Sequence, residues 1–96
     1  GGYTEMLKCA ALTQAWNVKF APHAMENLHL HLVAAVPNAL FLERLLMFEE
    51  ITAQVFDGAP VPIDGCMHVP DLPGLGLKLN MDFIRERDET APASHA

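Results

Sequence analysis

The sequence predicts an α/β chain organised around one strand–helix–strand unit, and three observations predict it. Val18–Pro22 is a short, mostly apolar run that ends in His23. Ala24–Val36 carries a helical pattern that Pro37-Asn38 breaks. Ala39–Leu42 is a second apolar run, ending in Glu43. Two short apolar strands joined by a helix form a βαβ unit, the building block of parallel sheets. Each strand ends in a group capable of acid–base chemistry, an imidazole on the first and a carboxylate on the second. In barrels made of such units, the C-terminal strand ends form the active face. His23 and Glu43 are therefore the candidate functional pair.

The flanking elements follow in chain order. Gly1-Gly2 precedes a first helix, with Thr4 as a candidate cap that lacks the Glu of a capping box, since Leu7 stands there. Met6, Leu7, Cys9, Ala10, Ala11 and Leu12 make an apolar stripe at helical spacing. This helix is expected to end near Trp16-Asn17, with Trp16 packed and Asn17 in the left-handed cap. In the second helix Leu28, Leu32, Ala35 and Val36 share a face. Leu30 and Val33 widen the apolar surface, so more than one side should be covered. Leu45–Phe48 reads as a helical turn, and Ile51–Phe56 alternates loosely as a strand would. Residues 58–73 hold four of the seven prolines and read as loops around a short strand near Met67–Val69. Asn80 is placed to cap a short helix through about Arg87. Residues 90–96 read as a frayed tail.

Composition narrows the function. The chain has 96 residues, 51% of them hydrophobic and only 19% charged. That is much apolar surface for one small domain to hide. A net charge of −6, with six scattered basic residues, argues against a nucleic-acid partner. No apolar run reaches membrane-spanning length. Cys9 and Cys66 lie far apart and read as free thiols of a cytoplasmic protein. His29 and His31 are two apart on a helix and face different ways, a poor metal pair, so a packed or solvated role is expected. The Pro70–Gly76 loop lacks the form of a phosphate loop. Two parallel strands do not stand alone in water. More strands are expected, from chain upstream of Gly1 or from a partner chain.

GGYTEMLKCAALTQAWNVKFAPH, HLHLVAAVPNALFLERL and VPDLPGLGLKLN together resemble the C-terminal part of the mandelate racemase and muconate lactonizing enzyme family, within the enolase superfamily. The resemblance runs from Gly1 to about Ile84. It implies a modified (β/α)8, TIM-like barrel with a capping domain. Residues 1–50 would be its last βα units, 51–89 a Pro/Gly-rich segment returning to the cap, and 90–96 a flexible tail. It further implies proton abstraction next to a carboxylate, with the enediolate stabilised on Mg²⁺. His23 matches the family's acid–base histidine. Glu43 matches a carboxyl that donates a hydrogen bond to a substrate carboxylate, a role that needs a raised pKa. Met25, Glu26 and Asn27 are candidates for substrate contacts from the first turn of the helix.

The resemblance places the Asp partner of the histidine, three acidic Mg²⁺ ligands and a Lys upstream of Gly1. The 96-residue chain is accordingly expected to be inactive alone and to bind no catalytic Mg²⁺. The parent is expected to be a homo-oligomeric enzyme acting on a small carboxylate. An acid-sugar dehydratase comes first and a 2-hydroxy-acid racemase second. A non-catalytic remnant that self-associates is the reading from another class.

Overall fold

The computed structural model describes residues 1–89; the expected tail at 90–96 lies outside them. The elements are α1 (Gly2–Ala15), α2 (Glu26–Ala35), a 3-10 turn at Leu46–Phe48, α3 (Glu49–Val55), β1 (Phe56–Asp57), β2 (Lys78–Leu79) and α4 (Met81–Glu86). Among the described residues no helix is long and apolar enough to cross a membrane.

The first helix starts earlier than its capping signal. Gly1 occupies the N-cap and no side chain caps it, so Thr4 lies inside the helix. Its end is as expected. Asn17 takes φ +54°, Asn17 N–H donates to Gln14 O at 3.0 Å, and Val18 N–H donates to Thr13 O at 2.8 Å. That crossed pair of bonds is the Schellman arrangement, which satisfies two carbonyls that a helix end otherwise leaves orphaned. Trp16, expected to pack, is 76% exposed, since the cap turns the chain away just after it.

The two expected parallel strands meet at one bridge, Phe20 with Ala39. Phe20 N–H donates to Asn38 O, and Leu40 N–H to Phe20 O, both at 2.9 Å. The direction is parallel, as the strand–helix–strand pattern requires. The ladder does not extend, because a two-stranded ribbon twists strongly and no third strand flattens it. Asn38 reinforces the joint. Its Nδ2 donates to Thr13 Oγ1 and to Val18 O, each at 2.9 Å, tying the end of α1 to both strand starts.

Beneath the bridge lies a small core of Ala10, Phe20 and Leu32, with Met6 and Val36 against it. Leu30 and Leu32 are both buried although they point to different sides of α2, so that helix is covered on more than one face. Elsewhere the apolar surface stays open: Leu12, Leu40, Phe41, Leu46 and Met47 are all more than half exposed. The radius of gyration is 16.1 Å, against about 12–13 Å for a compact domain of this length.

The second half departs most from expectation. Residues read as the strand Ile51–Phe56 form α3, and only Phe56 joins a strand, pairing with Leu79 in an antiparallel sheet. Glu49 and Glu50 sit in the first turn of α3, where the helix dipole favours carboxylates. Six residues of loose alternation cannot outweigh that local preference. No strand forms at Met67–Val69. The chain instead reverses between Ile63 and Cys66, which exchange backbone bonds of 2.8 and 3.0 Å. Asp64 and Gly65 between them take φ +50° and +78°, the conformation a two-residue I′ turn demands. Asn80 caps α4 as expected, its Oδ1 accepting from Phe83 N–H at 3.1 Å.

Leu32 is 2% exposed at the centre of the core. Leu32→Ala is expected to lower stability by about 2–5 kcal/mol. Trp16→Ala should change it by less than about 0.5 kcal/mol. Urea denaturation midpoints of the two variants check the pair, and equal losses would place the core elsewhere.

Candidate functional site

Parallel pairing carries both strand ends to the same side. Three residues past the Phe20 bridge stands His23, and four past Ala39 stands Glu43. Their side chains touch: His23 Nδ1 lies 2.8 Å from Glu43 Oε2. The same oxygen accepts the Ala24 N–H at 2.7 Å. That N–H is available because the chain does not enter the helix directly. Ala24 and Met25 take φ +50° and +48°, two successive left-handed residues, before α2 begins at Glu26. Neither is glycine, and the conformation costs an L-residue about 1–2 kcal/mol.

This geometry fixes protonation. The Ala24 N–H, and after it the His23 ring, hold the Glu43 carboxyl below the usual carboxylate range, with partial burial opposing. The expected raised pKa is therefore corrected: Glu43 is stabilised as the anion, because it faces two donors at a site open to water. A carboxylate only accepts, so Nδ1 of His23 carries the proton, and in the neutral ring Nε2 is left as the free base. The His23 side chain is 82% exposed, which leaves that edge accessible.

The remaining candidates lie apart from this pair. Glu26 and Asn27 are buried, at 3% and 5% exposure, while Met25, at the N-cap, is half exposed. Glu26 Oε1 is 3.7 Å from Arg44 Nε, and Arg44 Nη2 is 2.8 Å from Glu49 Oε1. Glu43 and Arg44 are neighbours in sequence, and their side chains reach different partners. Glu43 thus meets His23 while Arg44 meets Glu26. A cavity of about 290 Å³ on the Arg44 side is lined by Glu26, Asn27, Arg44, Thr52, Phe56 and Asp57 among others, and neither His23 nor Glu43 reaches it. Sequence reasoning missed Arg44 as the partner of Glu26. His29, expected to be packed or solvated, lies with Nδ1 2.8 Å from Ala24 O, a partner that the sequence did not name. Among the described residues no three His, Cys, Asp or Glu side chains come together to hold a metal ion. The resemblance assigns the Mg²⁺ ligands to segments outside residues 1–96, so none of the described residues is assigned to the ion.

The depressed pKa of Glu43 has a defined pH signature. Its contribution to stability is complete above the unfolded carboxyl value, about pH 4.3, and is lost as pH falls through the lower folded value. In Glu43→Gln this acid-side loss should shrink. Denaturation midpoints followed from neutral pH into acid check it, and identical slopes for the two proteins would contradict the assignment.

Comparison with known proteins gives the family. Residues 1–83 match the family described as Enolase C-terminal domain-like. The chain is 34% identical over 93 residues to an L-rhamnonate dehydratase of Saccharopolyspora erythraea, covering 91% of this chain and 24% of that protein. It is 32% identical over 85 residues to a 3,6-anhydro-alpha-L-galactonate cycloisomerase of Streptomyces coelicolor, covering 88% of this chain and 22% of that one. The chain thus spans about a quarter of the length of these relatives. With a match across residues 1–83, taking in both strand ends, the α2 turn and the β1–β2 pair, the chain belongs to the enolase C-terminal domain-like family of the enolase superfamily.

Proposed function

We propose that this chain supplies the acid–base histidine of an acid-sugar dehydratase, as the C-terminal quarter of a barrel enzyme. The observation that carries the reading is the His23–Glu43 pair: Nδ1 is held by a carboxylate, Nε2 is free and the ring is exposed. Support also comes from the relatives, one of which is named L-rhamnonate dehydratase. On this reading residues 1–50 form the last units of the barrel, and residues 51–89 return toward a capping domain.

In such a dehydration the C–H bond next to the substrate carboxylate breaks and its proton passes to a base. The neighbouring C–O bond then breaks, the hydroxyl leaves as water after receiving a proton, and the resulting enol becomes a 2-keto-3-deoxy acid. His23 Nε2 serves as the base of the first step or, once protonated, as the acid of the second. In this chain Glu43 Oε2 stands 2.8 Å from Nδ1 of that ring. Mg²⁺, held by residues outside this chain, would supply charge stabilisation beside the substrate carboxylate.

A panel of aldonic and aldaric acids, assayed for 2-keto-3-deoxy product with the full-length protein, tests the reading. Racemised substrate without keto product would replace it with the racemase. His23→Asn is expected to lower turnover by about 10²–10⁴-fold and to change stability by no more than about 1 kcal/mol, since the ring is mostly in solvent. Wild-type turnover in that variant would remove His23 from the chemistry.

A further inference from the structure

Among the described residues the two parallel segments pair at Phe20 and Ala39 alone. His23 and Glu43 stand three and four residues beyond that bridge. One bridge sets direction but leaves the ends beyond it free to splay. The contact that spans those ends away from water is Arg44 with Glu26. Glu26 is the first residue of α2, three past His23, and Arg44 directly follows Glu43. Arg44 Nε lies 3.7 Å from Glu26 Oε1, with the two side chains 22% and 4% exposed. Arg44 Nη2 lies 2.8 Å from Oε1 of Glu49, the first residue of α3. The guanidinium is therefore held at two separate nitrogens, one for each helix start. A planar fork gripped at two points keeps little freedom. A buried ion pair adds little net stability, and its best-attested use is to set register.

We propose that Arg44 is a positioning residue. Its guanidinium, fixed between Glu26 and Glu49, sets the separation of the two strand ends, so that His23 and Glu43 reach the same substrate. The bridge clamps the two segments on one side and Arg44 clamps them on the other. The effect on turnover rests on the reading of His23 as the acid–base group; the effect on the first turn of α2 does not.

The test uses two variants of the full-length protein, assayed well below their thermal midpoints. Arg44→Met leaves Glu26 buried without its cation and should lower both stability and turnover. Arg44→Met combined with Glu26→Gln removes both charges, so the thermal midpoint should return close to wild type while the tie stays broken. In the double variant kcat is expected to remain about 10–100-fold below wild type, with KM within about threefold. Amide hydrogen exchange at Leu28 and His29, whose N–H groups close the first turn of α2 on Met25 O, should quicken about tenfold. Exchange at Leu40, which donates across the bridge to Phe20 O, should stay near wild type. Should the double variant not fold, Arg44→Lys, which keeps the charge but not the two-point fork, is read the same way. A kcat that recovers together with the thermal midpoint, or exchange at Leu28 and His29 indifferent to the loss of the pair, would overturn the proposal. If exchange behaves as expected while the wild-type protein dehydrates no acid sugar, the clamp stands and the dehydratase reading falls.

Discussion

The single parallel bridge at Phe20 and Ala39 is the constraint on which the rest depends. Its two backbone bonds contribute about 0.5–1.5 kcal/mol each, which would not hold two segments together unaided. Burial of the Phe20 ring against Ala10 and Leu32 adds about 1.5–3 kcal/mol, so packing dominates and the hydrogen bonds set direction. Asn38 then uses both hydrogens of its amide to lock α1 to the same joint. Direction matters more here than strength. Antiparallel pairing at Phe20 would send Glu43 toward Trp16, whereas parallel pairing delivers it to His23.

From that joint the chain separates two kinds of electrostatics with one step of backbone. Glu43 turns to the open side and meets donors in the presence of water, where its charge is cheap to keep. Arg44 turns inward and meets Glu26, a carboxyl almost wholly out of solvent that would be costly to leave without a partner. The outward pair is fit for proton exchange, because one imidazole nitrogen remains accessible. The inward pair, extended to Glu49, joins α2 to α3 and so braces the helix whose first turn shapes the outward pair.

How much was legible follows the range of each interaction. The Asn17 cap, the α4 cap at Asn80 and the parallel sense of the bridge are local or nearly so, and residue type with spacing revealed them. That His23 and Glu43 share one end was legible for the same reason. Their direct contact was not, because it needs two left-handed residues at Ala24 and Met25, a conformation that alanine and methionine do not advertise. Glu26 reads as an ordinary first-turn carboxylate, and only the three-dimensional position of Arg44 explains why it is buried. The helix α3 was misread as a strand because a few residues of alternation fit both periods. The Asp64-Gly65 reversal carried a recognisable signal, since Asp-Gly is a favoured pair for a two-residue turn.

The left-handed pair also bears on which sequences can occupy this turn. Position 24 is enclosed and has positive φ, so it accepts little beyond alanine and glycine, and every β-branched side chain is excluded on steric grounds. Position 25 shares the dihedral but faces solvent for half its surface, so asparagine, aspartate and glycine join methionine there. Two residues whose side chains do no chemistry are therefore held to a narrow alphabet by backbone geometry alone. Variation at this turn is expected to be scarce where a sequence keeps the histidine beside it, and to widen once that histidine is lost.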